Sequence, residues 1–308
     1  MSESTTQKRT GGVLITGATG LVGGRLLPGL RERFAWVRTL SRSGRVAGSG
    51  VEARTWDGTD PGATSLDGVD TVVHLAGEPI FGGLPSRGRL ERIRSSRIES
   101  TLKLVERIRE RPEADRPKTL ICASAVGIYA DSGDTPLDED GEKGTEFLSR
   151  VCIAWESAAQ GAVDLGVRVV SVRIGVVLAA SGGALGLMRL PFSLGFGGRL
   201  GSGRQYFPWI HIDDLVRIFE AAIDEPIEGA FNAVAPEAVT NADLTRELGE
   251  VLNRPAVIPV PAFAIRLALG EIAGELLDSK RVVPARLQET GFTFEQPTLR
   301  GALATELR

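Results

Sequence analysis

The 308-residue sequence predicts an α/β fold, a Rossmann-type doubly wound parallel sheet with a smaller mixed α/β C-terminal substrate lobe. Three observations carry that prediction. From Gly12 to Ile174, short apolar runs rich in β-branched residues alternate with longer amphipathic stretches. A glycine-spaced turn joins the first run to the first such stretch, and beyond Ile174 the rhythm breaks.

The elements follow in order. Val13–Thr16, Val37–Leu40, Thr71–Leu75, Thr119–Ala123 and Arg168–Ile174 are of strand length. Leu21–Arg33, Leu90–Arg109 and Phe147–Leu165 between them are long and periodic enough for helices. Such alternation means right-handed crossovers onto parallel strands. Further on, the glycine-rich segment Ser181–Gly203 reads as loop, with at most a short helix near Leu187. Asp213–Asp224, Asn241–Leu252 and Ala262–Leu276 read as helices, with Thr240 an N-cap for the second. AVIPVPAF at 256–263 holds two prolines and suits an edge strand or a linker. The expected division is a dinucleotide domain over 12–175, with sheet-completing segments from 205–235, and a smaller substrate region over 176–308 that includes a terminal module at 255–303.

Composition narrows the partners. The hydrophobic share of 42%, the charged share of 24% and a net charge of −3 give no electrostatic reason to expect nucleic acid or an anionic membrane. Cys122 and Cys152 are the only cysteines and show no metal-ligand spacing, which points to a reducing compartment and to no metal. The polar opening MSESTTQKRTGG is not a signal peptide, and no run reaches transmembrane length, so the expected location is cytoplasmic.

The strongest local signal is VLITGATGLVGG, a strand entering Gly17-x-x-Gly20-x-x-Gly23 and then a helix. Gly17 permits the tight turn, Gly20 the approach of a pyrophosphate, and Gly23 close packing of helix on strand. Thr19, Leu21 and Val22 complete the turn, whose helix N-terminus offers unpaired N–H groups to phosphates. The bland alternative is a glycine-rich turn without a ligand. The second strand ends in TLSRSGR, with Ser41, Arg42 and Arg45 and no carboxylate. A guanidinium beside a hydroxyl suits a 2′-phosphate, so NADP(H) is expected over NAD(H), unless these arginines are only solvated loop residues. Asp57 is a candidate for the adenine amino group or a turn cap, and Leu75, Ala76 and Gly77 close the list of cofactor-binding candidates.

These glycines, HLAG at 74–77, SAVGIYA at 124–130 and HIDDL at 211–215 resemble the short-chain dehydrogenase/reductase superfamily, in its extended NAD-dependent epimerase/dehydratase branch. The run from Pro261 to Phe294 looks like the small terminal module of an atypical epimerase-like subgroup. The resemblance implies a Tyr-x-x-x-Lys pair on the helix after the fifth strand, with a serine and an asparagine completing a proton relay. Here the tyrosine position holds Leu148, the lysine position Cys152 and the asparagine position Arg97; only Ser124 matches. Ser124 is therefore the expected hydroxyl donor to a substrate carbonyl, and Tyr129 a cofactor or substrate contact. Cys152 is either a proton donor or nucleophile whose pKa Arg97 lowers, or a small buried hydrophobe. Arg97 counts in both the catalytic and the cofactor-binding sets, while the rest of the arginine-rich segment 86–97 reads as a solvated helix face. His74 reads as a core residue and His211 as an anchor of the substrate lobe. Arg199 and Arg204 sit where the resemblance implies a grip on an anionic small-molecule substrate, and dimerisation through helices 90–109 and 147–165 is the family's habit. The expected function is an NADP(H)-dependent oxidoreductase or epimerase-like enzyme with a non-standard site. The alternative is a non-catalytic NADP(H)-binding sensor.

Overall fold

The computed structural model describes residues 8–42, 44, 50–81, 83 and 85–307. In chain order the first part runs β1 (Arg9–Thr16), α1 (Leu21–Arg33), β2 (Phe34–Ser41), β3 (Val51–Thr55), β4 (Val69–His74), α2 (Arg87–Arg109), β5 (Thr119–Ala125), β6 (Pro136–Leu137), α3 (Phe147–Gln160) and β7 (Arg168–Ile174). There follow β8 (Val176–Ala179), α4 (Gly183–Ser193), β9 (Trp209–His211), α5 (Ile212–Asp224), β10 (Gly229–Ala233), α6 (Asn241–Val251), α7 (Ala262–Leu269), α8 (Gly274–Leu277), β11 (Arg281–Val282), α9 (Ala285–Glu289) and α10 (Leu299–Leu307).

Seven strands form the parallel sheet, in the order β10-β7-β5-β4-β1-β2-β3. This is the Rossmann arrangement expected from the strand–helix alternation. Its strands read as nearly continuous apolar runs because helices cover both faces. Val13 and Ile15 of β1 face α1 and α5, packing on Leu26, Leu30, Leu215 and Phe219. Leu14, between them, faces α2 and α3 and packs among Leu104, Ile108, Trp155 and Ala159. The strand order reverses between β1 and β4, which opens a crevice at the C-terminal edge of the sheet where ligands of such folds bind.

Three expectations need correction. The third helix stops at Gln160, not Leu165; Gly161 caps it and a short 3₁₀ turn follows, closed by the left-handed Gly166. The helix expected over Ala262–Leu276 is broken at Gly270, whose φ is +54°. Conversely, the segment 181–203, read as loop with at most a short helix near Leu187, gives the eleven residues Gly183–Ser193 to helix α4. Glycines mark breaks in isolation, but Leu185 and Phe192 bury against Leu178, Trp209 and Leu248, and that burial outweighs propensity. Thr240 does cap α6, in a reciprocal capping box with Asp243. The 256–263 stretch forms no strand, but Ile258 and Val260 bond the backbone of Gly197 and Arg199.

The C-terminal segment is tied to the sheet by buried polar groups. Asp214, fully buried at the start of α5, accepts the backbone N–H groups of Glu295 and Gln296 at 2.8 and 2.9 Å. His211 lies beside it, 3.1 Å from Glu306 of α10. Asp214 of the HIDD run therefore holds the terminal module in place.

Candidate functional site

The turn after β1 is built for close approach. Gly17 has φ +73°, and a Cβ there would lie 2.9 Å from the carbonyl carbon of Leu75. A Cβ on Gly23 would lie 2.3 Å from the Gly17 oxygen, so α1 can seat on the turn only with glycine at that position. Gly20 is the N-cap of α1, makes no side-chain cap and is followed by no acidic residue in the first turn. The helix's leading N–H groups and positive dipole end thus remain open to an anion, the arrangement that binds phosphates. Thr19 is exposed, and Leu21 and Val22 are half-buried beside it.

Across the crevice, the HLAG turn is fixed from below. Thr16 Oγ1 accepts N–H bonds from Leu75 and Ala76, each 3.2 Å, and sits 2.8 Å from His74 Nδ1. Ser100 Oγ, 3.2 Å from His74 Nε2, donates to the Ser96 carbonyl. The chain is satisfied by a neutral imidazole with its proton on Nε2. Burial pushes the His74 pKa down to about 4, in keeping with its expected core role. Gly77 beyond it carries the Arg97 guanidinium, which would meet a Cβ there at 3.2 Å, stacks over Trp155 and donates to the carbonyls of Glu78 and Ile93.

At the end of β2, Ser41 is buried and its Oγ has no hydrogen-bond partner among the described residues. Arg42 next to it is exposed and unpaired among the described residues, while Arg45 lies outside them. An orphaned hydroxyl and a free guanidinium side by side fit a phosphate. Asp57 is exposed, and its Oδ1 accepts the Thr59 N–H at 2.8 Å, the turn-capping alternative; Oδ2 has no partner among the described residues.

The β5 edge differs from expectation. Ser124 does not present a free O–H: its Oγ donates to Glu156 Oε1 at 2.7 Å, and Glu156 pairs with Arg173 at 2.8 Å. Tyr129 does not stand at the open edge. It is fully buried, donates to Asn232 Oδ1 at 2.6 Å and accepts from Arg173 at 2.8 Å, so both functions of its hydroxyl are used. Burial pushes its phenol up to about 12, with Arg173 opposing. Cys152 packs among Val126, Ile128, Leu137 and Val282. Burial pushes its thiol up to about 12, the Glu275 carboxylate adds to the rise, and Arg97 pulls only weakly the other way. The Arg97 charge does reach Cys152, but desolvation outweighs one guanidinium, so the thiol is not a thiolate at neutral pH.

Arg199 and Arg204 are both exposed. Arg199 lines an open groove of about 910 Å³ along α6, together with Arg246, Arg254 and Arg300; Arg204 is not among its lining residues. Among the described residues no grouping of His, Cys, Asp and Glu could hold a metal, and no helix is long and apolar enough to cross a membrane.

Sequence reasoning missed Glu156, Arg173, Glu275 and Lys280. Two signals were available. Glu156 lies on the helix stripe of Leu148 and Cys152, spaced by four, and Arg173 is a charge set between Val172 and Ile174 near the end of an interior strand, which obliges a buried counter-ion.

Residues 13–234 match the NAD-dependent epimerase/dehydratase family, and residues 260–306 match a domain of unknown function, DUF1731. The chain belongs to the NAD-dependent epimerase/dehydratase family. Its relatives within that family include the chloroplastic SDR39U1 homologue of Arabidopsis thaliana, 40% identical over 94% of this chain and 85% of that protein. The epimerase family protein Mb2239 of Mycobacterium bovis is 41% identical over 94% of this chain and 96% of its own length. Among solved structures, human SDR39U1, crystallised with NADPH, superposes with a TM-score of 0.86 at 36% identity, covering 96% of this chain and 98% of that one. The family's Rossmann sheet and the terminal module are thus both accounted for.

Proposed function

We propose that this protein binds NADP(H) across the β1–β4 crevice and works as an epimerase-like oxidoreductase on a small anionic hydroxyl or carbonyl compound. The observation that carries the reading is the open first turn of α1 combined with the orphaned Ser41 hydroxyl and the unpaired Arg42. Gly17, Thr19, Gly20, Leu21, Val22 and Gly23 would cradle the diphosphate, and Ser41 and Arg42 the 2′-phosphate. Leu75, Ala76, Gly77 and Arg97 would flank the nicotinamide half, and Asp57 Oδ2 the adenine. That the human relative was crystallised with NADPH supports the same choice of cofactor.

When bound, the nicotinamide supplies hydride chemistry, and the chain's part is orientation and charge. Ser124, held by Glu156, keeps oxygen lone pairs for a substrate hydroxyl, while its proton is engaged. Arg199, whose side chain has no ion-pair partner among the described residues, supports an anionic group on the substrate. Sealing of Tyr129 and Cys152 favours a second reading, a non-catalytic NADP(H) sensor.

Turnover separates the two. The protein is incubated with NADP+ and nucleotide sugars, with the epimeric or oxidised sugar as readout, and separately with NADPH deuterated at nicotinamide C4 and anionic carbonyl compounds, with label in the reduced product as readout. The enzyme reading expects turnover in one of the two arms, and tight cofactor binding with turnover in neither would favour the sensor.

A further inference from the structure

The terminal module sends a strap over the β5 edge. Along residues 275–283 the backbone is laced to the segment after β5: Ser132 N–H bonds the Ser279 carbonyl at 2.8 Å, Ser279 Oγ donates to the Gly133 carbonyl at 2.8 Å, and β11 pairs with β6. Gln205 Nε2 fastens the same strap through the Leu276 carbonyl at 2.9 Å. The lacing fixes two charged side chains. Glu275 lays its carboxylate on Gly127, where a Cβ would meet Oε1 at 3.0 Å and Oε2 at 3.2 Å. Lys280 reaches back to Glu275 at 2.9 Å. Gly127 lies in the turn just past the C-terminal end of β5, three residues beyond Ser124, which places the pair at the C-terminal edge of the sheet.

Lys280 is not an ordinary surface lysine. Its side chain is 7% exposed, yet its ammonium, which carries three donors, has Glu275 Oε1 as its one hydrogen-bond partner among the described residues. A buried ammonium with donors to spare is costly unless a further acceptor arrives. The helix position at which the family's pattern would supply a lysine is occupied by Cys152, whose thiol feels the charges of both Glu275 and Lys280. In a doubly wound sheet the half of a dinucleotide that lies past the switch point runs over β4 and β5. Its ribose hydroxyls are the acceptors such an ammonium lacks.

We propose that Lys280, delivered by the terminal module with Glu275 as its counter-ion, holds the nicotinamide-ribose half of the bound dinucleotide. The site is therefore incomplete without the module. This rests on the NADP(H) reading above, and the closing experiment keeps the two apart. Lys280 is a positioning residue on this account.

The test compares two probes by calorimetry: NADPH, and 2′,5′-ADP, which carries the 2′-phosphate adenosine but no nicotinamide ribose. Lys280→Met is expected to weaken NADPH about tenfold, the loss of one charge-assisted hydrogen bond, and to leave 2′,5′-ADP unchanged. Lys280→Met with Glu275→Gln removes both buried charges, so a poorly folded single variant does not leave the question open; the same selective loss is expected. Equal losses for both probes mean a merely structural role and overturn the proposal, as does no loss for either. Should the unmodified protein bind 2′,5′-ADP but not NADPH, Lys280 is misassigned while the phosphate-loop reading survives. Uptake of neither overturns both.

Discussion

The two ends of the crevice are built on opposite principles. At the phosphate loop the site is made of backbone: three glycines, an uncapped helix start, and an unpaired hydroxyl and guanidinium waiting for a partner. At the β5 edge it is made of side chains, and nearly all of them are already spoken for: Ser124 by Glu156, Glu156 by Arg173, Tyr129 by Arg173 and Asn232. An open end advertises its ligand by what it lacks. A closed end shows only how it is held, and its spare capacity is confined to Lys280 and the oxygen of Ser124.

That contrast can be broken most severely at Glu156. Glu156→Ala would leave Arg173, which is 4% exposed, as an uncompensated buried charge. A loss of about 3–5 kcal/mol is expected in urea melts, with the phosphate-loop end intact in whatever fraction folds. A loss below ~1 kcal/mol would mean water reaches Arg173 and the β5 edge is not sealed.

His74 joins the two ends, and its contribution depends on pH. Its pKa of about 4 in the fold lies below the unfolded value of 6.5, so the unfolded chain binds the extra proton in between. Stability is therefore full above pH 6.5 and drains as pH falls towards 4, by ~3 kcal/mol in all. Asp60, held near 2 by Arg107, begins to matter only below its ordinary value of 3.8. Denaturant midpoints measured between pH 7 and 4.5 should fall, and His74→Gln should flatten the slope; an unchanged slope would place the titration elsewhere.

Gly23→Ala sharpens the open end. Its Cβ meets backbone, not a flexible side chain, so the helix must lift off the turn. About 1–3 kcal/mol of stability is expected to go, together with dinucleotide uptake. Retained binding by fluorescence titration would show that the turn tolerates displacement.

Legibility followed the same division. The sheet, the first helix and the phosphate loop could be read because their signals are local: apolar runs of strand length, and glycines whose spacing matches one turn. The Thr240 cap was equally local. Helix α4 was not, since its glycines argue against it and only the distant Trp209 and Leu248 make its burial worthwhile. Ser124 and Tyr129 are engaged where open groups were expected, for a related reason, while Cys152 takes the buried-hydrophobe alternative. Position in a motif says where a side chain starts, but occupancy depends on Arg173, Glu156 and Asn232, up to 103 residues away. Lys280 was invisible because nothing local in a terminal segment announces that it folds back over β5.

The central claim is that an unsatisfied hydroxyl and guanidinium beside an uncapped helix select a dinucleotide bearing a 2′-phosphate. Isothermal titration of NADPH and NADH into the intact protein and into Arg42→Ala tests it most directly. The unmodified protein should bind NADPH about ten- to a hundredfold more tightly, the value of one to two charge-assisted contacts, and Arg42→Ala should erase most of that preference while leaving NADH affinity in place. Equal affinity for the two cofactors, or equal losses on substitution, would contradict it.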